Sequence, residues 1–153
     1  MTAERPETFA GFRHQFLLAM PQLADDYFAG TIVYLCEHNA EGAMGLVVNR
    51  PSEMTFGELL DQLGLPIPPA VADRPVLEGG PVAPERGFIL HDDDSRFEGS
   101  LAMGPGLMLS ASQAALAALA EGRGPRRWLV ALGFAGWGPG QLEKEILENV
   151  WLN

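Results

Sequence analysis

The stretch over residues 133–145, GFAGWGPGQLEKE, constrains the fold more than any other. Four glycines, a proline and Trp137 stand there between an apolar, strand-like run and an amphipathic helix. A residue without Cβ takes positive φ or lets a second backbone come close, which is needed where chain segments cross tightly. The segment therefore predicts a densely packed junction at the architectural centre. It names no reaction. Gln141 stands where the third glycine of GxGxxG would fall, and no lysine follows in the manner of a P-loop. A helix N-terminus offers free amides to an anion. Glu143 and Glu145 already complement that dipole, however, and would repel a phosphate, so packing is the favoured role.

The elements around this junction fall into runs. Residues 15–19 are a short apolar run closed by Met20 and Pro21, followed by a polar connector over 23–28 with Asp25 and Asp26. Residues 31–38, TIVYLCEH, predict a strand from their β-branched and aromatic content, and 44–49, MGLVVN, a second one after a turn at Glu41 and Gly42. Pro51 ends that hairpin. Thr55 and Glu58 form a capping box, and Phe56, Leu59, Leu60 and Leu63 give a short helix one apolar face. Four prolines within residues 65–75 exclude a helix and predict an extended connector.

Further strands are expected near Val76 and Leu77, at 87–91, and as a hairpin of 100–103 with 107–109. Ser110 and Gln113 predict a second capping box for an alanine-rich helix ending at Gly122. Residues 127–132 form a strand. Gly138, Pro139 and Gln141 are expected at the N-cap, N1 and N3 of a last helix, whose Leu142, Ile146 and Val150 align on one face. Runs of strands with about three helices between them indicate an α+β domain with a largely antiparallel or mixed sheet. Residues 1–14 are expected to be a flexible N-terminus, and 15–153 a single domain whose length suffices for one core.

Charge and cysteine content narrow the function classes. Twenty acidic against ten basic residues leave a net charge of −10, which repels phosphate backbones and argues against direct nucleic-acid binding. The basic cluster Arg123, Arg126 and Arg127 is better suited to a solvated turn. A single cysteine excludes an internal disulfide and a thiolate zinc cluster, and fits a reducing cytoplasm. The first residues lack an apolar signal core, and no apolar run reaches the roughly 20 residues of a membrane span. A cytoplasmic protein without membrane contact is the expectation.

Few residues invite chemistry. Cys36 and His38 lie two apart, so a regular strand projects them from one face, where the imidazole would lower the thiol pKa and create a nucleophile. Cysteine is also among the most buried residue types, and no third residue completes a triad. His91 before Asp92, Asp93 and Asp94 suggests a hard cation, but consecutive side chains diverge and the alternate spacing of a calcium loop is missing. No metal or cofactor is assigned. His14 has no evident partner.

Several segments resemble the AlgH/YqgE family of bacterial proteins: FLLAMPQLADDYF (16–28), HNAEGAMGLVVNRP (38–51), LEGGPV (77–82), GFILH (87–91) and GFAGWGPGQLEKEI (133–146). Their order and spacing make the resemblance specific, and together they span most of the chain. It implies an α+β fold whose sheet bends into a pseudo-barrel, and a bacterial cytoplasmic protein labelled a transcriptional regulator without agreed catalytic residues. The positions that match its motifs are Pro21, Asp25 and Phe28; His38, Gly42, Gly45 and Asn49; Gly79, Gly80 and Pro81; and Gly136, Trp137, Gly138, Gly140, Gln141, Leu142 and Glu143.

The preferred expectation is a non-enzymatic binding or regulatory module. Its groove would be formed by His38, Asn49, Gly79, Gly80, Pro81, Gly136, Trp137 and Gly138, and its partner would be a protein segment or small molecule. The alternatives are a Cys36/His38 enzyme and a direct DNA-binding regulator, the latter without any basic recognition helix. The terminal Val150, Trp151 and Leu152 either form a subunit contact or fold back on the core.

Overall fold

The strand expected at 127–132 does not stop at the glycines; it runs on through Trp137 and organises the whole sheet. The computed structural model describes residues 11–22 and 24–153. Most of the segment expected to be flexible, and Leu23 of the polar connector, lie outside the described residues. The described part of that segment is anchored: the Phe12 amide donates to His38 Nδ1 at 2.9 Å and the His14 amide to the Leu35 carbonyl.

The first elements are β1 (Phe16–Ala19), β2 (Ile32–Asn39), β3 (Gly42–Val47), β4 (Pro51–Thr55) and α1 (Phe56–Gln62). They are followed by β5 (Pro75–Glu78), β6 (Val82–Asp92), β7 (Leu101–Gly104), β8 (Leu107–Ser110) and α2 (Gln113–Ala120). The chain ends with β9 (Trp128–Trp137), α3 (Gln141–Leu147) and β10 (Trp151–Leu152). The sheet order is β10-β1-β2-β3-β9-β6-β8-β7, with β4 on β5 and β5 on β9. All pairings are antiparallel except β5 with β9. This is the expected α+β class, and the sheet curls into a half-barrel.

Three apolar clusters record that curl. Tyr34, Cys36 and Leu46 of β2 and β3 meet Phe88, Leu90, Met103, Leu109 and Ala131 inside it. The Tyr34 hydroxyl donates to the Met103 carbonyl at 2.7 Å, tying β2 to β7 across the concave side. On the convex side α1 and α2 pack over Val76, Ile89 and Val130. Farther along the same side, α3 lays Leu142 against Leu17, Val33, Leu35, Ala135, Trp137 and Trp151. Burying Leu142 completely contributes about 2 kcal/mol.

Strand β9 serves both convex layers because it changes phase at Gly133. Trp128, Val130 and Leu132 face α1 and α2, and Leu129 and Ala131 face inward. Gly133 takes φ of +80°, and beyond it Phe134 faces inward while the odd residues Ala135 and Trp137 face α3. Simple alternation would have turned Trp137 into the half-barrel. An irregularity in the β6 pairing, between Val82 and Gly87, accompanies the shift. Gly79 and Gly80 cross the same point: a Cβ on Gly79 would stand 2.4 Å from the Gly133 oxygen, and one on Gly80 2.1 Å from the Phe134 carbonyl carbon.

Local signals mostly hold. The Thr55 and Glu58 capping box is complete, a contribution of about 1 kcal/mol. The second helix corrects its expected start. Ser112, not Ser110, caps α2, because Ser110 is drawn into the sheet by hydrogen bonds to His91 and Ser100. The last helix is capped by Gly140 at φ of +73°, not by Gly138, whose amide donates instead to the Gln141 side chain. Residues 82–86 extend β6 beyond the expected strand, and β4 begins at the proline expected to end a strand.

The crossing separates two costs of losing a glycine. Gly122 has φ of +74° with open space around it, so Gly122→Ala is expected to cost about 1 kcal/mol of backbone strain. Gly79→Ala, which forces two main chains apart, is expected to cost about 3 kcal/mol. Urea unfolding midpoints at unchanged slope measure the difference; equal losses would mean that the crossing relaxes freely.

Candidate functional site

The tryptophan turn gathers side chains from four separate segments around one carboxylate. Glu145 Oε1, on α3, accepts from the indole nitrogens of Trp137 at 3.0 Å and of Trp151 at 2.9 Å. Its Oε2 accepts from the Gln141 amide nitrogen at 3.0 Å, one helical turn earlier. The Gln141 side-chain oxygen in turn accepts from the Gly138 amide, which fixes the turn to the helix start. Glu145 thereby staples β9 and β10 to α3. Phe28 completes an aromatic triad, its ring 6.5 Å from Trp137 and 5.5 Å from Trp151, with the two indoles 5.5 Å apart and edge to face.

These groups border a cavity of about 290 Å³ lined by Ala24, Asp25, Phe28, Gly136, Trp137, Gln141, Glu145, Glu148, Val150 and Trp151. Asp25 is held by accepting the Phe28 amide at 2.9 Å. The terminal tryptophan resolves the alternative left open by the sequence: β10 pairs with β1, and Trp151 is 2% exposed.

Of the residues expected in a groove, Gly136 and Trp137 line this cavity. Gly138 holds Gln141 behind it. His38 lies beside the helix: its Nδ1 accepts from Phe12, so the neutral ring carries its proton on Nε2, 3.2 Å from Glu143 Oε1. The hairpin also meets the turn directly, with Ala43 opposite Trp137 and Gly42 against its carbonyl. Gly79 and Gly80 back β9 at its phase change, and Pro81 is exposed beside them. Asn49 stands apart, at the far end of β2 from His38, where its side chain accepts from the Ile32 amide and donates to the Gly30 carbonyl.

Sequence reasoning missed Glu145 and Trp151. The i, i+4 spacing of Gln141 and Glu145 was a helical signal, but nothing local relates that carboxylate to indoles eight residues before and six after it.

Cys36 and His38 do not share a face. Between Leu35 and Glu37 the pairing with β3 shifts, leaving Cys36 as an extra residue. The bulge keeps Cys36 inside with Tyr34 and turns His38 to the α3 side. Burial, followed by the nearby Glu37 charge, pushes the Cys36 thiol from 9.0 up to about 12. His91 is also buried. Its Nδ1 donates to the Asp92 carbonyl, so its Nε2 accepts from Ser110, which accepts in turn from Ser100. Asp92 pairs with Arg127, and Asp94 accepts the Arg126 amide. Among the described residues no three His, Cys, Asp or Glu side chains group as a metal site, and no helix is long and apolar enough to cross a membrane.

The sequence model of the AlgH-like family matches residues 16–153. The chain belongs to this family. It is 51% identical over 143 residues to a UPF0301 protein of Stutzerimonas stutzeri, covering 92% of this chain and 75% of that protein. It is 48% identical over 151 residues to a UPF0301 protein of Pseudomonas entomophila, with coverage of 96% and 79%. The solution structure of the AlgH protein from Pseudomonas aeruginosa superposes with a TM-score of 0.80 at 47% identity, covering 94% of this chain and 76% of that one. A crystal structure from Corynebacterium diphtheriae, at 18% identity and a TM-score of 0.73 over 94% of this chain and 75% of that one, shares the fold.

Two outcomes follow from this geometry. Glu145→Ala strands two nearly buried indole N–H groups and is expected to cost about 2 to 4 kcal/mol, whereas Glu145→Gln keeps an acceptor and costs about 1 kcal/mol; thermal unfolding of both variants measures the gap. Cys36 and Tyr34 bind their protons more tightly in the folded state, since burial raises both from 9.0 and 10.0 to about 12. Their contribution to stability is complete below the unfolded values and is lost as pH climbs from 9.0 toward 12. Native Cys36 should accordingly resist iodoacetamide at about pH 8 and react on unfolding. Rapid native labelling would contradict its placement.

Proposed function

We propose that the chain is a non-enzymatic binding module that holds a protein segment or a small molecule in the cavity beside the tryptophan turn. One observation carries this reading: loop 24–28, the end of β9, α3 and Trp151 converge from distant parts of the sequence to enclose about 290 Å³. A concave site with an aromatic wall and a few fixed polar groups is the ordinary form of a ligand site. Asp25, Phe28, Gly136, Trp137 and Gln141 are also positions at which the sequence matches the family motifs.

The Cys36/His38 enzyme has less support, because the bulge separates the two side chains and burial disfavours the thiolate. A direct DNA contact is opposed by the net charge of −10. Influence on transcription, and action in the cytoplasm, belong to this proposal as effects exerted through the bound partner.

Filling the cavity tests it without touching the Glu145 staple. Ala24→Trp places a large side chain on the lining, and wild type and variant are compared by affinity capture from native bacterial lysate with mass spectrometry of retained proteins and metabolites. At least one molecule retained by the wild type is expected to be lost from the folded variant. Identical profiles would reject the cavity as the binding site.

A further inference from the structure

The aromatic wall and the charge of its rim specify what the cavity would hold. This inference rests on the binding reading above and deepens it. The lining combines the rings of Phe28, Trp137 and Trp151 with the carboxylates of Asp25, Glu145 and Glu148. Among the described residues no basic side chain belongs to the lining. Among the described residues, the one ion pair that reaches a lining carboxylate joins Lys144 to Glu148 at 3.9 Å, between exposed side chains, and such a pair neutralises little.

Glu145 is the unusual member. Three neutral donors, two indoles and one amide, fix its orientation. Being neutral, these donors bring no compensating charge to the carboxylate. The result is an oriented carboxylate, with no ion pair to a cationic side chain among the described residues, beside three aromatic rings whose negative faces attract cations. The overall charge of −10 adds a field of the same sign. An anionic ligand would meet repulsion from all of these groups. The volume of about 290 Å³ lies at the small end of the roughly 300 to 1,000 Å³ typical of ligand pockets, and so suits a head group or one side chain.

We propose that this cavity is a receptor for an alkylammonium or guanidinium cation, recognised by the Phe28, Trp137 and Trp151 rings together with the Asp25, Glu145 and Glu148 carboxylates. The cation is the shared chemistry of two sources, a small organic cation or a lysine or arginine side chain of a protein segment. Steering by the acidic surface favours either source over a neutral or acidic competitor.

The experiment is a titration of the folded, nitrogen-15-labelled full chain, read at the indole N–H signals. The chain has three tryptophans, so Trp128, outside the cavity, is an internal control. The probes are choline chloride and agmatine for the free cations, and blocked Gly-Lys-Gly and Gly-Arg-Gly peptides for a side chain. Sodium chloride and sodium acetate at matched ionic strength are the controls.

Saturable shifts of Trp137 and Trp151 with at least one cation, and with neither control, are expected. Free cations saturating at lower concentration than the peptides would assign a small-molecule source, and the reverse order a protein segment. Asp25→Asn keeps an oxygen for the Phe28 amide while removing charge, so it should weaken binding about fivefold without unfolding. Phe28→Leu should weaken it by a similar factor through loss of the ring. Linear shifts matched by sodium chloride, equal movement of Trp128, or equal binding of acetate would each overturn the assignment. If all cations fail while lysate capture still depends on Ala24, the cavity binds another class of ligand; if both fail, the binding reading falls as well.

Discussion

The crossing of two backbones at Gly79, Gly80 and Gly133 is the constraint on which the rest of the structure depends. One strand, β9, lies under α1 and α2 in its first half and under α3 in its second, and it also borders β3, β5 and β6. A strand of strict alternation cannot present large side chains of both parities to the same convex side. Positive φ at Gly133 inserts the required change of phase, and the absence of side chains at Gly79 and Gly80 lets the neighbouring main chain pass over it. The bulge at Cys36 performs the same service in β2, sending His38 outward to α3.

That change of phase is what brings Trp137 to Glu145. With Trp137 outside, its indole, the indole of Trp151 and the Gln141 amide share one carboxylate, and the short α3 is locked to two strands. A helix of this length has little stability of its own. Its position comes from buried Leu142 and from Glu145, so the stapling residue and the cavity wall are the same group. Packing and binding chemistry here have a common origin. The His91, Ser110 and Ser100 chain shows the contrast, a polar line whose members bond to one another and to the Asp92 carbonyl.

The legible part of the site was its glycines and Trp137; the illegible part was Glu145 and Trp151. Glu145 reads from sequence as an acid complementing a helix N-terminus, a sufficient local role that conceals the second one. Trp151, near the end of the chain, becomes part of the wall only because β10 pairs with β1, far away in sequence. Asn49 shows the converse. Its polar side chain suggests recognition, yet both of its functional atoms are engaged in holding the start of β2. Cys36 and His38 failed as a pair for a physical reason, since one extra residue in a strand reverses the parity of all that follow.

The sequence alone determined what is decided over a few residues: the α+β class, the capping box at Thr55 and the need for tight crossings where glycines cluster. These follow from steric freedom and hydrogen bonds that close within one turn. Only the tertiary structure decided on which side of the sheet each bulged strand places its side chains, and which carboxylate receives the indoles. Such choices depend on long-range pairing, where a single backbone torsion at Gly133 selects between two faces that the pattern of residues leaves equivalent.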